Sequence, residues 1–193
     1  MLVEGRRGRN TLQYLVGTSH PMYGEEHNQL TDNVCLTQII QLRQMGLFMK
    51  EYILDHELVH DSCKNGSFPE RRFEFLVQLD PPSLLRTDID MMLPLHWVNS
   101  LRGFHLVFEH LIRYYPHKKG ICLLFTKDNN SGDTPFQKAC REYGRDEIMK
   151  VVEEILSRYN NNEATQLNIV EALITTTLDG NVHLDGSYFL LRR

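Results

Sequence analysis

The sequence predicts an all-α chain arranged as a helical repeat solenoid of about five helix pairs, degenerate at both ends. Three observations carry this reading. Apolar residues recur at the three- and four-residue spacing of helices, in short segments. Period-2 alternation is nearly absent. One short motif returns in phase along the chain. The bulk figures suit a folded chain: 193 residues, 41% hydrophobic, 24% charged, formal net charge −4. That composition is too apolar for general disorder and too acidic for a nucleic-acid binder acting through bulk charge.

The helical segments run in order between clusters of Gly, Asn, Asp and Pro. Leu36, Ile39, Ile40 and Leu42, then Met45 and Leu47, keep mostly helical spacing. Phe73, Leu76 and Val77 form an i, i+3, i+4 set. Val107, Phe108, Leu111 and Ile112 form another, and Ile148, Val151, Val152, Ile155 and Leu156 the cleanest. About ten short helices are expected, with residues 18–33 and 116–131 as two long loops. The longest apolar run, Ile121 to Phe125, has the length of a core segment and falls far short of the ~18–20 residues of a membrane helix. Met1 to Arg7 has no apolar stretch after its charges, so it does not read as a secretory signal. Cys35, Cys63, Cys122 and Cys140 are scattered without a CxxC pair and read as buried free thiols. This points to a reducing interior, cytoplasmic or nuclear.

The repeating motif is clearest at Gly132-Asp133-Thr134-Pro135-Phe136-Gln137-Lys138-Ala139-Cys140, followed by Gly144 and Ile148. Thr134-Pro135 opens a first helix, with proline where no amide hydrogen is needed. Gly144 ends it in a tight turn. Leu93-Pro94-Leu95-His96, then Gly103 and Val107-Phe108, repeats the frame. Val59-His60 through Gly66 repeats it again, and Gly8 to Leu15 does so more weakly, with Gln13 at the His position. Ala172 to Thr177 with Gly180 makes a fifth, degenerate unit. The register positions Gln13, His60, His96, Gln137 and Leu173 are 47, 36, 41 and 36 residues apart.

These strings resemble the ankyrin repeat core, in which threonine-proline-leucine-histidine opens a helix pair of ~33 residues. The longer spacings and one-residue insertions are similar to divergent, long-loop ankyrin-like proteins of the kind expanded in diatoms. On this frame residues 1–55 form a degenerate N-terminal repeat with a long loop. Residues 56–193 carry the remaining repeats, with best matches at 56–80, 88–116 and 128–160 and a degenerate unit at 164–193. His60, Gly66, Pro94, His96, Gly103, Gly132, Thr134, Pro135 and Gly144 are the structural motif residues.

Several strings invite a chemical reading. His56-Glu57-Leu58-Val59-His60 is HExxH, which on one helix would present two zinc ligands and a general base. A zinc-dependent hydrolase is therefore the alternative function. His60 already serves the repeat register and no third ligand is marked, so the match reads as coincidence and no enzyme is expected. Cys63 near His60 occupies a packed position in the frame, which argues against a nucleophile pair. Residues 102–119 are the most basic stretch, with Tyr114 and Tyr115, and read as a solvated second helix because Glu109 and the net charge oppose a nucleic-acid role. Asn129 to Asp133 is calcium-loop-like in composition without the EF-hand spacing, and reads as the turn before Thr134. Trp97 reads equally as an exposed partner anchor or a stacked core residue.

The resemblance implies a non-catalytic protein–protein interaction module that binds its partner through a concave face and loop tips. The expected contact residues are Lys64, Asn65, Asn99, Arg102, Lys127, Asn129, Asn130, Lys138, Arg141 and Glu142. No cofactor, metal, nucleic acid, membrane or small-molecule substrate is expected. The sequence stops at Leu191-Arg192-Arg193 as a second helix is being built, which reads as a stack lacking its C-terminal cap.

Overall fold

A computed structural model describes residues 10–17, 24–116 and 118–160, with Lys118, Lys119 and Asn160 described by backbone only. The expected fifth unit, with Leu173, and the chain's end lie outside these residues. The described chain is all-α: nine α-helices and two short 3-10 helices. It divides into two compact units, Met1–Arg86 with Trp97–Gly103, and Thr87–His96 with Phe104–Arg193.

In the first unit, α1 (Thr11–Gly17) and α2 (Glu25–Gln44) precede α3 (Glu51–Asp55), α4 (Leu58–Cys63) and α5 (Glu70–Leu79). Helix α1 packs on α4, and α2 on α5. Within each pair α1 also meets α2, and α4 meets α5. The apolar faces explain this: Leu12 and Val16 of α1, Ile39 of α2, Leu58 and Val59 of α4, and Phe73, Leu76 and Val77 of α5 are all buried. Such short helices gain their stability from these shared faces rather than from propensity.

In the second unit, α6 (Leu101–Tyr114, its first three residues belonging with the first unit) is followed by α7 (Lys118–Leu124), α8 (Pro135–Tyr143) and α9 (Arg145–Asn160). The expected faces are buried: Val107, Phe108, Leu111 and Ile112 on α6, and Ile148, Val152, Ile155 and Leu156 on α9. Thr134 caps α8 in a reciprocal capping box with Gln137, and Pro135 stands at the first helical position. Gly144 closes α8 at φ 86°, a conformation cheap only for glycine. Residues 128–160 thus contain the two packed helices α8 and α9.

Four expectations need correction. Residues 18–33 are not one loop, because α2 begins at Glu25; residues 18–23 lie outside the description. Residues 116–131 contain α7, built on the apolar run from Ile121. Gly103 does not end a first helix: it lies inside α6, and Pro94–Trp97 forms only a single 3-10 turn. Gly103 is required for closeness instead, since a Cβ there would lie 2.7 Å from Phe68 and 2.8 Å from Val98. Gly66 lies in the loop after α4 without a positive φ, and α4 ends on Lys64 in ordinary helical conformation.

Candidate functional site

A groove of about 610 Å³ lies in the first unit. One wall is the N-terminal half of α2, where Glu25, Asn28, Gln29, Asp32 and Asn33 fall on one helical face. The facing wall is the loop Gly66–Pro69 with the first turn of α5, and Ser100 and Arg102 close one side.

The back of the groove is held by a buried ion pair. Arg72 is fully enclosed, and its Nε lies 2.7 Å from Asp32 Oδ1. Asp32 also accepts the amides of Arg71 and Arg72 at 2.9 and 3.3 Å, and so caps the start of α5 from a neighbouring helix. Arg72 Nη1 donates to the carbonyls of Leu15 and Val16 at 2.6 and 3.0 Å, satisfying the end of α1. One side-chain pair therefore ties α1, α2 and α5 together.

The mouth is charged and exposed. Arg102 donates to Glu70 Oε2 at 2.9 Å, with a second contact from Nε to Oε1, and lies 3.8 Å from Glu25. Arg71 donates to the neutral amide of Asn33. Exposed pairs of this kind are worth ~0–1 kcal/mol, so an incoming charged or amide group can exchange for them.

Of the sequence-expected contact residues, only Arg102 lines this groove; Gly66, of the motif set, does as well. Lys64, Asn65 and Asn99 gather elsewhere in the first unit. The Lys64 ammonium sits 4.5 Å from the centre of the Trp97 ring, and Asn99 donates to the Lys64 carbonyl at 3.0 Å. Trp97 is accordingly a half-buried platform under a lysine. Asn65 donates to the Asp61 carbonyl at 2.8 Å.

All in the second unit, Lys127, Asn129 and Asn130 lie on the hairpin before α8, and Lys138, Arg141 and Glu142 on α8 itself. Asp128 organises that hairpin. It is buried and accepts the amides of Asn130, Ser131 and Gly132 at 2.9, 2.6 and 3.1 Å, and the Ser131 hydroxyl at 2.8 Å. Burial pushes its carboxyl up, but these hydrogen bonds outweigh burial and hold it below the usual range. The calcium-like composition is thus a carboxylate binding its own loop. Arg141 pairs with Asp133 at 2.8 Å and holds that carboxyl low as well.

The HExxH string does not form one helix. Helix α3 ends at Asp55, Glu57 takes a left-handed conformation at φ 49°, and α4 starts at Leu58. His56 and His60 therefore do not share the i, i+4 face that a zinc site needs, and His60 is buried. No cluster of three or more His, Cys, Asp or Glu side chains able to hold a metal occurs among the described residues. Cys63 is fully buried and burial pushes its thiol far up, the opposite of an activated nucleophile. All four cysteines are free; Cys140 is half-buried and the others are buried. Among the described residues no helix is long and apolar enough to cross a membrane.

Comparison with known proteins returns no match to a family model, to a curated protein or to a solved structure.

Sequence reasoning missed most of the groove. Its signal was present: Glu25, Asn28, Gln29, Asp32 and Asn33 are polar at i, i+3, i+4, i+7 and i+8. A polar helical face carries no hydrophobic period, so the stretch read as loop. The pairing of Asp32 with Arg72, forty residues away, left no local trace.

Proposed function

We propose that the chain is a non-catalytic protein–protein interaction module built from ankyrin-like repeats, residing inside the cell. The groove of the first unit is its partner-binding site. The observation that carries this is the groove's construction: a rigid, ion-paired back wall behind a mouth of exchangeable side-chain amides and charges. Amides such as Asn28 and Gln29, with Arg71 and Arg102, suit an extended stretch of polypeptide, whose carbonyls, amides and side-chain carboxylates they can bind.

Two features support the repeat reading. First helices lie on first helices and second on second in the first unit. In addition, three register positions make the same bond. Gln13, His96 and Gln137 each accept the backbone amide three residues before them, from Asn10, Leu93 and Thr134, at 2.9, 2.9 and 3.2 Å. The hairpin residues Lys127, Asn129 and Asn130 serve as loop-tip contacts, and Lys138, Arg141 and Glu142 on α8 as first-helix contacts. No cofactor, nucleic acid, membrane or small-molecule substrate belongs to this reading.

The test is capture of partners from a cell lysate by the full chain and by an Arg71→Glu/Arg102→Glu variant. The expected result is a protein retained by the wild type, lost from the variant, and unaffected by chelator. A captured set that is unchanged by the double reversal would overturn the assignment of the groove. Binding that disappears with chelator would overturn the metal-free reading.

A further inference from the structure

Helix α2 is apolar on two opposite faces. One face carries Cys35 and Ile39 into the core of the first unit. On the other, Leu30, Val34 and Met45 fall in one stripe with Thr37 and Gln41 between them. Leu30 is 62% exposed, Val34 49% and Met45 62%, and Leu47 at 59% and Met49 at 47% continue the apolar surface past the helix end. Single exposed apolar side chains need no explanation, but five within twenty residues mark a contact surface. The groove opens on a different flank of α2, through Glu25, Gln29 and Asn33, so this surface is separate from it.

We propose that a second copy of this chain covers the outer face of α2, with the two α2 helices antiparallel about a twofold axis near Thr37. Self-complementarity is the first argument. Reversing the helix about Thr37–Gln38 sets Leu30 opposite the partner's Met45 and Val34 opposite the partner's Gln41, so each apolar end meets the other apolar end. Charge is the second. Glu26 edges the stripe at the start of α2, and Lys50 follows just beyond its end. Antiparallel pairing about Thr37–Gln38 brings Glu26 beside the partner's Lys50, whereas parallel pairing would set like charges together. Lys50 also meets Asp80 at 3.1 Å but stays more than half exposed, which leaves it free to serve both. The helix dipoles oppose one another in the same arrangement. The third argument is closure: an isologous contact uses the face once on each copy and stops at two. A contact along one helix of ~30 Å lies at the small end of specific interfaces, so the pair is weak and reversible.

Sedimentation velocity of the full chain between roughly 1 and 200 µM brackets such a pair. The expected result is a rise from one-chain to two-chain mass with concentration. Leu30→Glu and Val34→Glu should each raise the dissociation constant about tenfold or more by placing a carboxylate in the contact. Both side chains are exposed in the single chain, so helical circular dichroism and the unfolding midpoint should stay as in wild type. Oxidative cross-linking gives the register independently of those variants. Thr37→Cys should cross-link to itself, whereas Leu30→Cys should not, because its mate lies ~22 Å away along the pair. One-chain mass at every concentration overturns the proposal. So does a dimer untouched by both glutamates, an open ladder of higher oligomers, or cross-linking at Leu30→Cys equal to that at Thr37→Cys.

Discussion

Arg72 has no solvent contact, and its guanidinium is held by two other helices, through the Asp32 carboxylate on α2 and the last carbonyls of α1. Removing one member of a buried pair leaves the other charge uncompensated, which costs ~3–5 kcal/mol. Arg72→Met should therefore lower stability by that amount in urea titrations followed by circular dichroism. Asp32→Asn in the same chain removes the stranded charge and keeps an oxygen for the amides of Arg71 and Arg72. The double variant should be more stable than Arg72→Met alone; equal or lower stability would show that the ion pair is not the tie. At Gly103 the constraint is space. An added methyl would press on Phe68, Val98 and Ser100, all under 3.0 Å from the ideal Cβ. Gly103→Ala should cost about 1–3 kcal/mol by the overpacking rule, measured in the same titration. A neutral substitution would mean that Phe68 swings aside freely.

Three elements, α1, the 3-10 turn at Pro94–Trp97 and α8, begin by a shared device, and it explains part of what was legible. At α8 the whole code is local: Thr134 accepts the Gln137 amide at 3.1 Å, Gln137 returns the bond, Pro135 sets the first φ, and Gly144 ends the helix. A motif contained in thirteen consecutive residues can be read from sequence. His96 and Gln13 make the same return bond. After His96 only one 3-10 turn forms and Gly103 is absorbed into α6, because Gly103 answers to Phe68, which is distant in sequence. In α2 the spacing from Leu36 onward reads as helix, but residues 25–33 do not. That half buries Asp32 and leaves Leu30 outside, so no apolar stripe marks it. The α5 set Phe73, Leu76 and Val77 is wholly buried and was read correctly. If the return bond is what the register residue supplies, Gln137→His should keep stability within ~0.5 kcal/mol, as His96 does the same task with Nδ1. Gln137→Ala should lose ~1 kcal/mol, the usual worth of a cap. Equal losses in the two variants would show that side-chain volume, not the bond, matters at this position.

Acid should unfold the second unit in two stages, each with its own sign. His96 is buried, and burial lowers its pKa below the ordinary 6.5 against the opposing pull of Asp128 and of the Thr126 and Asp133 backbone. The unfolded chain therefore takes up this proton first as pH falls below 6.5. Stability is complete above that value and declines from it down to the folded pKa. Asp128 and Asp133 have folded pKa values below 3.8, so the stability they contribute is present above 3.8 and disappears as pH falls through the folded values. Urea midpoints for the full chain should accordingly be flat from pH 8 to about 7, fall below 6.5, and fall again below about 4. His96→Gln separates the two stages. Glutamine does not titrate, and at positions 13 and 137 it already makes the bond that His96 makes to Leu93. The variant should fold, stay within ~1 kcal/mol of wild type at pH 7.5, and lose the decline that sets in below pH 6.5 while keeping the one below about 4. Persistence of the upper decline in His96→Gln would assign it to another group. Failure of the variant to fold at pH 7.5 would show that the imidazole does more than close the turn at Leu93, and that the three register positions are not interchangeable parts of one repeating design.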